Sequence, residues 1–282
     1  MNVTQVTVCI PVYNGDRYIG NAIESVLSQT YTDFELVILN NASTDKTADI
    51  IAHYQDARIR VISHPANVGF LANWNRGLTE ARGNYCKMLP HDDTLYPTCL
   101  ERQVAAFEAQ RDLALVACAR HIIDNTGAVI ATRRFNRTKQ ILSGPAAQRA
   151  IIRSGTNPLG EPGAVLFRRA LAVQCGVFDG TRLFVIDVDY YCRLLRHGGL
   201  CALSEPLCTF RVSSDSTSVR MLHRQAREFI SFARAFARTS PGLICKTDIV
   251  RACVMAAFNN ILRMVFYCYL ALRRLWHQSA PT

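Results

Sequence analysis

Asp92 and Asp93 stand side by side after Tyr85-Cys86-Lys87-Met88-Leu89-Pro90-His91. Tyr85 to Leu89 reads as a short buried strand, ended by Pro90, which cannot donate to a ladder. The two acids therefore fall where a strand leaves a sheet, and open α/β sheets bind ligands beyond the carboxyl ends of their strands. Adjacent carboxylates repel unless a proton, water or a cation intervenes. Mg2+ or Mn2+ shared with substrate phosphates is one answer; a solvated Asp-Asp turn is the plain alternative. As a strand-end acid, Asp93 is expected to be exposed and to carry little packing. A third acid, Asp187, falls in the first turn of the helical run Ile186 to Leu195, where the helix dipole favours a carboxylate. That position suits a structural acid as well as a reacting one.

The elements that must hold these acids follow from periodicity. Val6 to Val12 is a strand, Tyr13 to Asp16 a turn, and Arg17 to Gln29 a helix with Ile19, Ile23, Val26 and Leu27 on one face. Phe34 to Leu39 is nearly continuous in apolar residues, as in a strand buried on both faces. The polar loop Asn40 to Asp45 leads into a helix to about Tyr54, capped by Ser43 or Thr44. Arg58 to Ser63 is a third strand, and a helix with Leu71, Trp74 and Leu78 on one face precedes the strand before Asp92. Four alternations of strand and helix predict a mostly parallel sheet with right-handed crossovers.

Beyond Asp93, Pro97 to Gln110 reads as a helix and Leu113 to Ala119 as a strand. Asp124 to Gly127 forms a hairpin turn before Ala128 to Thr132, and residues 133 to 144 read as a mobile basic loop. Strands follow at Gly163 to Phe167 and Leu207 to Val212. Helices follow from Val219 to about Arg238 and from about Thr247 to Trp276. Neither G-x-G-x-x-G nor G-x-x-x-x-G-K-[ST] occurs, which argues against a dinucleotide fold and a P-loop.

Hydrophobic content of 49% and charged content of 19% describe a folded chain. Residues 1 to 5 are polar and a strand follows at once, so no signal peptide is expected. The eleven cysteines form no CxxC pair and no zinc-type cluster. Most, Cys9, Cys86, Cys118 and Cys268 among them, sit in apolar runs and read as buried thiols of a reducing compartment. The net charge of +10 is concentrated after Arg211, which suggests an anionic partner for the tail: a membrane surface, a phosphorylated acceptor or nucleic acid.

In order and spacing, several segments resemble the family 2 inverting glycosyltransferases of GT-A fold, of the bacterial surface-polysaccharide type. They are Val8 to Asn14, Ser25 to Tyr31, Asn41 to Asp45, Asn67 to Gly69 with Asn75-Arg76-Gly77, Asp92-Asp93, Gly176 to Asp179, Asp187-Val188-Asp189 and Phe210-Arg211-Val212. The resemblance implies a GT-A sheet with a nucleotide-binding half and an acceptor-binding half over residues 1–215, and a basic helical extension over 216–282. It implies that Pro11, Tyr13 and Asn14 line the nucleotide pocket, that Asn40, Asn41 and Ser43 face base and ribose, and that Arg76 approaches the nucleotide. Asp92 and Asp93 would hold the metal on the diphosphate, and Asp187 would be the general base.

Chemistry agrees with that assignment. A sugar nucleotide leaves a diphosphate whose growing charge a cation stabilises, and a carboxylate that accepts the acceptor's proton makes the nucleophile. One base opposite the leaving group gives inversion. Three positions depart from the family pattern. Asn40 replaces an acid in the base-facing loop, Pro90 an acid before Asp92, and Ser213 a histidine. The last either weakens the metal site or leaves Arg211 as the nearby diphosphate partner.

His91 reads as a turn residue, and Trp74 and Trp276 as packing. The apolar run Met264 to Leu272 is too short to span a bilayer. With Arg273 and Arg274 it suits an interfacial helix on an anionic membrane; packing on the catalytic domain and a homodimer contact are its alternatives. The expected partners are a nucleotide-sugar donor and a glycan or lipid-linked saccharide acceptor, with no nucleic acid. The expected location is the cytoplasm, peripheral on the inner membrane's cytoplasmic face. The rival readings are a nucleotidyltransferase, for which Pro11 to Arg17 lacks a glycine-rich basic loop, and a non-catalytic glycan- or partner-binding module. Donor sugar, acceptor and linkage rest on the region from about Arg120 to Glu161.

Overall fold

The computed structural model describes residues 4–212 and 224–279, with side chains described to residue 268. The first four strands are β1 (Val6–Val12), β2 (Phe34–Asn40), β3 (Ile59–Ser63) and β4 (Tyr85–Met88). They pair in parallel in the order β3-β2-β1-β4, with Val12 level with Asn40 and Cys9 level with Met88. Every residue of β1 is buried, because helices cover both faces. One is α1 (Ile19–Leu27), which turns Ile19, Ala22, Ile23 and Val26 inward. The others here are α2 (Thr47–Ala52) and α3 (Phe70–Glu80). The chain runs outward from β1 to β3 and then returns to β4 on the other side of β1. The crevice at that reversal is where an open α/β sheet takes its ligand.

The second half follows α4 (Cys99–Ala109). Its strands are β5 (Leu113–Ile123), β6 (Val129–Arg133), β7 (Gln140–Leu142), β8 (Val165–Arg168) and β9 (Gly199–Arg211). Together the strands form one nine-stranded mixed sheet. Antiparallel β8 joins β4 to β5, and β9 runs parallel to β5. The segment 133–144, expected as a loop, contains β7, which pairs with β9. Strand β9 starts at Gly199, eight residues before the expected Leu207, and bends through several register shifts against β5. Three helices pack beside these strands: α5 (Gly144–Ser154), α6 (Arg169–Cys175) and α7 (Ile186–Leu194).

Among the described residues two helices follow β9, α8 (Gln225–Thr239) and α9 (Lys246–Ser279). The expected boundary between domain and extension, the start of the helix at Val219, and Ser213 all lie outside the described residues. All eleven cysteines are free; Cys9, Cys86 and Cys118 are buried as expected. Cys268 is exposed, because it lies on the outer side of α9.

Candidate functional site

The crevice is built by mutual clasps between loops. After β1, the Asn14 backbone N–H donates to Ser43 Oγ (3.0 Å), and Asn14 Oδ1 accepts from the Thr44 N–H (2.8 Å). The Gly15 N–H donates to Thr47 Oγ1 (2.8 Å). Asn41 ties the same loop to residues 67–69: its Nδ2 donates to Asn67 Oδ1 (2.9 Å) and its Oδ1 accepts from the Val68 N–H (2.9 Å). Asn14 and Ala42 have φ of 49° and 55°, a region non-glycine residues enter at a cost. Tyr13 is exposed at the rim, and Pro11 is buried in β1. Asn40 is buried and its Oδ1 accepts from the Ser43 N–H (3.1 Å). The amide oxygen of Asn40, a residue expected to face the base, is thus already engaged in shaping the loop.

The fold turns Arg76 elsewhere. Helix α3 runs back towards the amino ends of the strands, and Arg76 pairs with Glu80 one turn on (2.6 Å). Glu80 in turn holds Arg60, which also reaches Glu35 near the start of β2. Its neighbour Asn75 exchanges two hydrogen bonds with the Phe178 backbone (2.9 and 3.2 Å), so the Asn75-Arg76-Gly77 motif braces the Gly176–Asp179 turn. Trp74 packs between Phe70 and Phe178, and His91 lies over Gly15, where a side chain would collide with its ring.

Asp93 corrects the expectation of an exposed acid: it is 1% exposed. Its Oδ1 accepts from the Arg211 N–H (2.8 Å), which locks the end of β4 to the end of β9. Burial, then the neighbouring Asp92 charge, pushes its carboxyl well above the usual carboxylate range. Its Oδ2 is buried and has no hydrogen-bond partner among the described residues. The Arg211 guanidinium donates to the carbonyl oxygens of Asp92 (3.0 Å) and Asp124 (2.7 Å) and lies 4.2 Å from the Tyr18 ring centroid. A cation is thus fixed beside the acid pair.

These residues fit a hard divalent cation. An orphaned buried carboxylate oxygen next to a second carboxylate is a donor set that Mg2+ or Mn2+ takes with substrate oxygens and water. No group of three or more His, Cys, Asp or Glu ligands gathers among the described residues, so the diphosphate would have to complete the shell.

Asp187 sits in the first turn of α7, as expected. Its Oδ1 accepts from the Val188 N–H (2.8 Å) and its Oδ2 from Asn157 Nδ2 (2.6 Å). Burial, and to a lesser degree the Glu161 charge, raises its carboxyl to about 7. Asp189, two residues on, is tied to Arg193 (2.9 Å), whose guanidinium also holds the carbonyls of Cys175 and Val177.

Asn157 and Glu161 escaped the sequence reading. Asn157 Oδ1 accepts from the Leu159 and Gly160 N–H groups, and its Nδ2 serves both the Gly160 carbonyl and Asp187. One amide therefore shapes the turn and aims the acid. Glu161 forms an ion pair with buried Arg120 of β5, and its charge raises the carboxyls of both Asp93 and Asp187. Lys87, fully buried in β4, donates to the carbonyls of Gly163 (2.7 Å) and Val165 (3.3 Å) and pins this turn from below. The available signal was the dense run of turn formers, Asn157-Pro158-Leu159-Gly160-Glu161-Pro162-Gly163, just before a strand.

The arrangement offers an acid pair with a fixed guanidinium on one side and a carboxyl raised to about 7 on the other. The chain is similar in sequence and in fold to known proteins. The chain is 28% identical over 225 residues to an uncharacterized glycosyltransferase of Rickettsia typhi, covering 78% of this chain and 67% of the relative. In fold it is similar to S. aureus TarS 1-349, solved in complex with UDP-GlcNAc (TM-score 0.68, 17% identity, 90% of this chain and 71% of that one). It is also similar to the mannosyltransferase PcManGT of Pyrobaculum calidifontis, solved with GDP-Man and Mn2+ (TM-score 0.64, 17% identity, 98% and 84%). The model of Glycosyl transferase family 2 matches residues 7–175, from β1 to the end of α6. With its strand-end acids and both clasped loops inside that span, the chain belongs to glycosyl transferase family 2.

Proposed function

We propose that the protein moves a hexosyl or deoxyhexosyl group from a UDP- or dTDP-linked donor to a hydroxyl of a glycan or lipid-linked saccharide, with inversion, in one displacement. Bacterial envelope polysaccharide assembly is the setting that suits this acceptor class. The observation that carries the reading is Asp187. Its carboxyl is raised to about 7, so it is a base of useful strength at neutral pH, and Asn157 fixes its orientation. It accepts the acceptor hydroxyl's proton as that oxygen bonds to the anomeric carbon and the bond to the diphosphate breaks.

Asp92 and Asp93 would hold Mg2+ or Mn2+, which when bound neutralises charge on the departing diphosphate. Arg211 supplies a fixed positive charge from the protein itself at the same corner. The loop of Asn40, Asn41 and Ser43, with Pro11, Tyr13 and Asn14, forms the wall for base and ribose. The sugar-nucleotide complexes of TarS and PcManGT support a donor of this class.

Asp187→Asn tests the reading. Single-turnover transfer is expected to fall roughly 10²- to 10⁴-fold with donor affinity nearly unchanged, and Asp189→Asn, which touches only the Arg193 brace, to fall far less. An active Asp187→Asn beside a dead Asp189→Asn would overturn the base assignment. Donor hydrolysis with and without Mn2+ separates sugar transfer from nucleotidyl transfer and from a binding module that lacks chemistry.

A further inference from the structure

The two last helices carry a surface that the donor and base machinery does not use. Helix α8 turns Phe229, Phe232 and Phe236 inward. Its outer face repeats Arg224, Arg227, Ser231, Arg234 and Arg238 at helical spacing. A shallow groove of about 470 Å³ is lined by Arg227, Ile230, Ser231, Arg234 and Arg238. Arg227, Arg234 and Arg238 make no ion pair among the described residues.

Helix α9 returns beside α8, since Arg263 reaches back to Gln225 (2.8 Å) at the start of α8. Its inner face buries Ala252 and Ala256. Its outer face is an apolar stripe of Val250, Val254, Phe258, Ile261 and Val265, each more than half exposed. Lys246 and Arg251 are exposed beside the stripe, and no acid is exposed on either helix among the described residues.

Lys246–Cys268 has a mean hydropathy of 1.5 and the length to cross a bilayer, more than the nine-residue run suggested, but only 11% of its apolar window is buried. Crossing is incompatible with how the helix is held. Asp248 pairs with Arg149 and Arg153 of α5, Asn259 donates to the Ser154 carbonyl, and Arg263 donates to Thr156 Oγ1. These contacts pin about four turns along the catalytic domain, so the stripe lies flat on the surface of the molecule. An apolar stripe with Lys246 and Arg251 exposed beside it, on a helix packed against the arginine-bearing α8, is the composition of a helix that lies in a membrane interface. A second copy docked here would bring two arginine-rich helices to one isologous seam, where like charges oppose association.

We propose that the outer faces of α8 and α9 together dock the protein on an anionic bilayer, the α9 stripe entering the headgroup boundary and the α8 arginines holding lipid phosphates. The test is co-sedimentation of the full chain with vesicles of phosphatidylcholine alone or doped with phosphatidylglycerol, over a salt series, with light scattering for oligomeric state. The wild type is expected to bind the doped vesicles and to weaken with salt. Combined Arg227→Gln, Arg234→Gln and Arg238→Gln is expected to lose affinity on the order of 100-fold, about fivefold per arginine. Combined Val254→Ser, Phe258→Ser and Ile261→Ser, all at exposed sites, is expected to leave binding that modest salt abolishes. A wild type that stays in solution with doped vesicles at low salt overturns the proposal. So does a stripe variant that turns a dimer into a monomer while vesicle affinity stays unchanged. No readout depends on sugar transfer, so failure here leaves the catalytic reading standing.

Discussion

At the scale of single residues, Asp187 sets activity against stability. Its carboxyl has an ordinary value of 3.8 and is raised to about 7 in the fold. Between those values the folded state holds a proton that the unfolded chain has released, so stability falls as pH rises through that window and stays lower above it. Asp187→Asn is therefore expected to be more stable than the parent at pH 8, by on the order of 1–4 kcal/mol, with the gap closing below about pH 4. In the parent, transfer is expected to rise with pH through about 7 as the base ionises. Melting curves and a pH–rate profile check both. Asp93 carries a second prediction. Asparagine keeps the acceptor for the Arg211 N–H and removes a buried carboxylate, so Asp93→Asn is expected to fold with unchanged or raised melting temperature while Mn2+ affinity in the presence of donor and transfer both collapse. Calorimetric titration of Mn2+ with UDP present decides it.

At the scale of elements, the turn 157–160 between α5 and β8 acts as a bracket for Asp187, the proposed base. Asn157→Ala removes both the turn's internal acceptor and the donor to Asp187. It is expected to lower kcat by roughly tenfold or more with the donor KM nearly unchanged, since the loss is of orientation. Because that hydrogen bond favours the ionised acid, the pH–rate midpoint is expected to move upward; a purely structural turn would leave it in place. The bracket also shows where the sequence stops being legible. The place of Asp187 at a helix start was readable because a motif and a helix dipole mark it, and β1 and β2 because helices on both faces leave continuous apolar strands. Asn157 and Glu161 act on the site through Arg120, Asp93 and Asp187, all 26 or more residues away in the chain, and no local period records that. Likewise β7 is three residues long, too short to show a period, and Asp93 reads as exposed until β9 closes over it.

At the scale of the whole molecule, β8 joins the parallel half to a second half that carries Asp187, the proposed base, and the acid pair lies near that junction. A ligand that touches both sides stabilises the entire chain by mass action. UDP together with Mn2+ is expected to raise the melting temperature by several degrees, and each alone by much less; equal shifts with and without Mn2+ would contradict a shared site. One earlier feature, the grip of α9 on Ser154 and Thr156 through Asn259 and Arg263, bears on when the enzyme becomes active. Those residues are made 105 and 107 positions after the loop they hold. During synthesis each of the proposed site acids leaves the ribosome before α9 does, so if Asp187 is the base, a nascent chain can close the loops after β1 and β2 early and steadies the turn beside Asp187 only once α9 has docked.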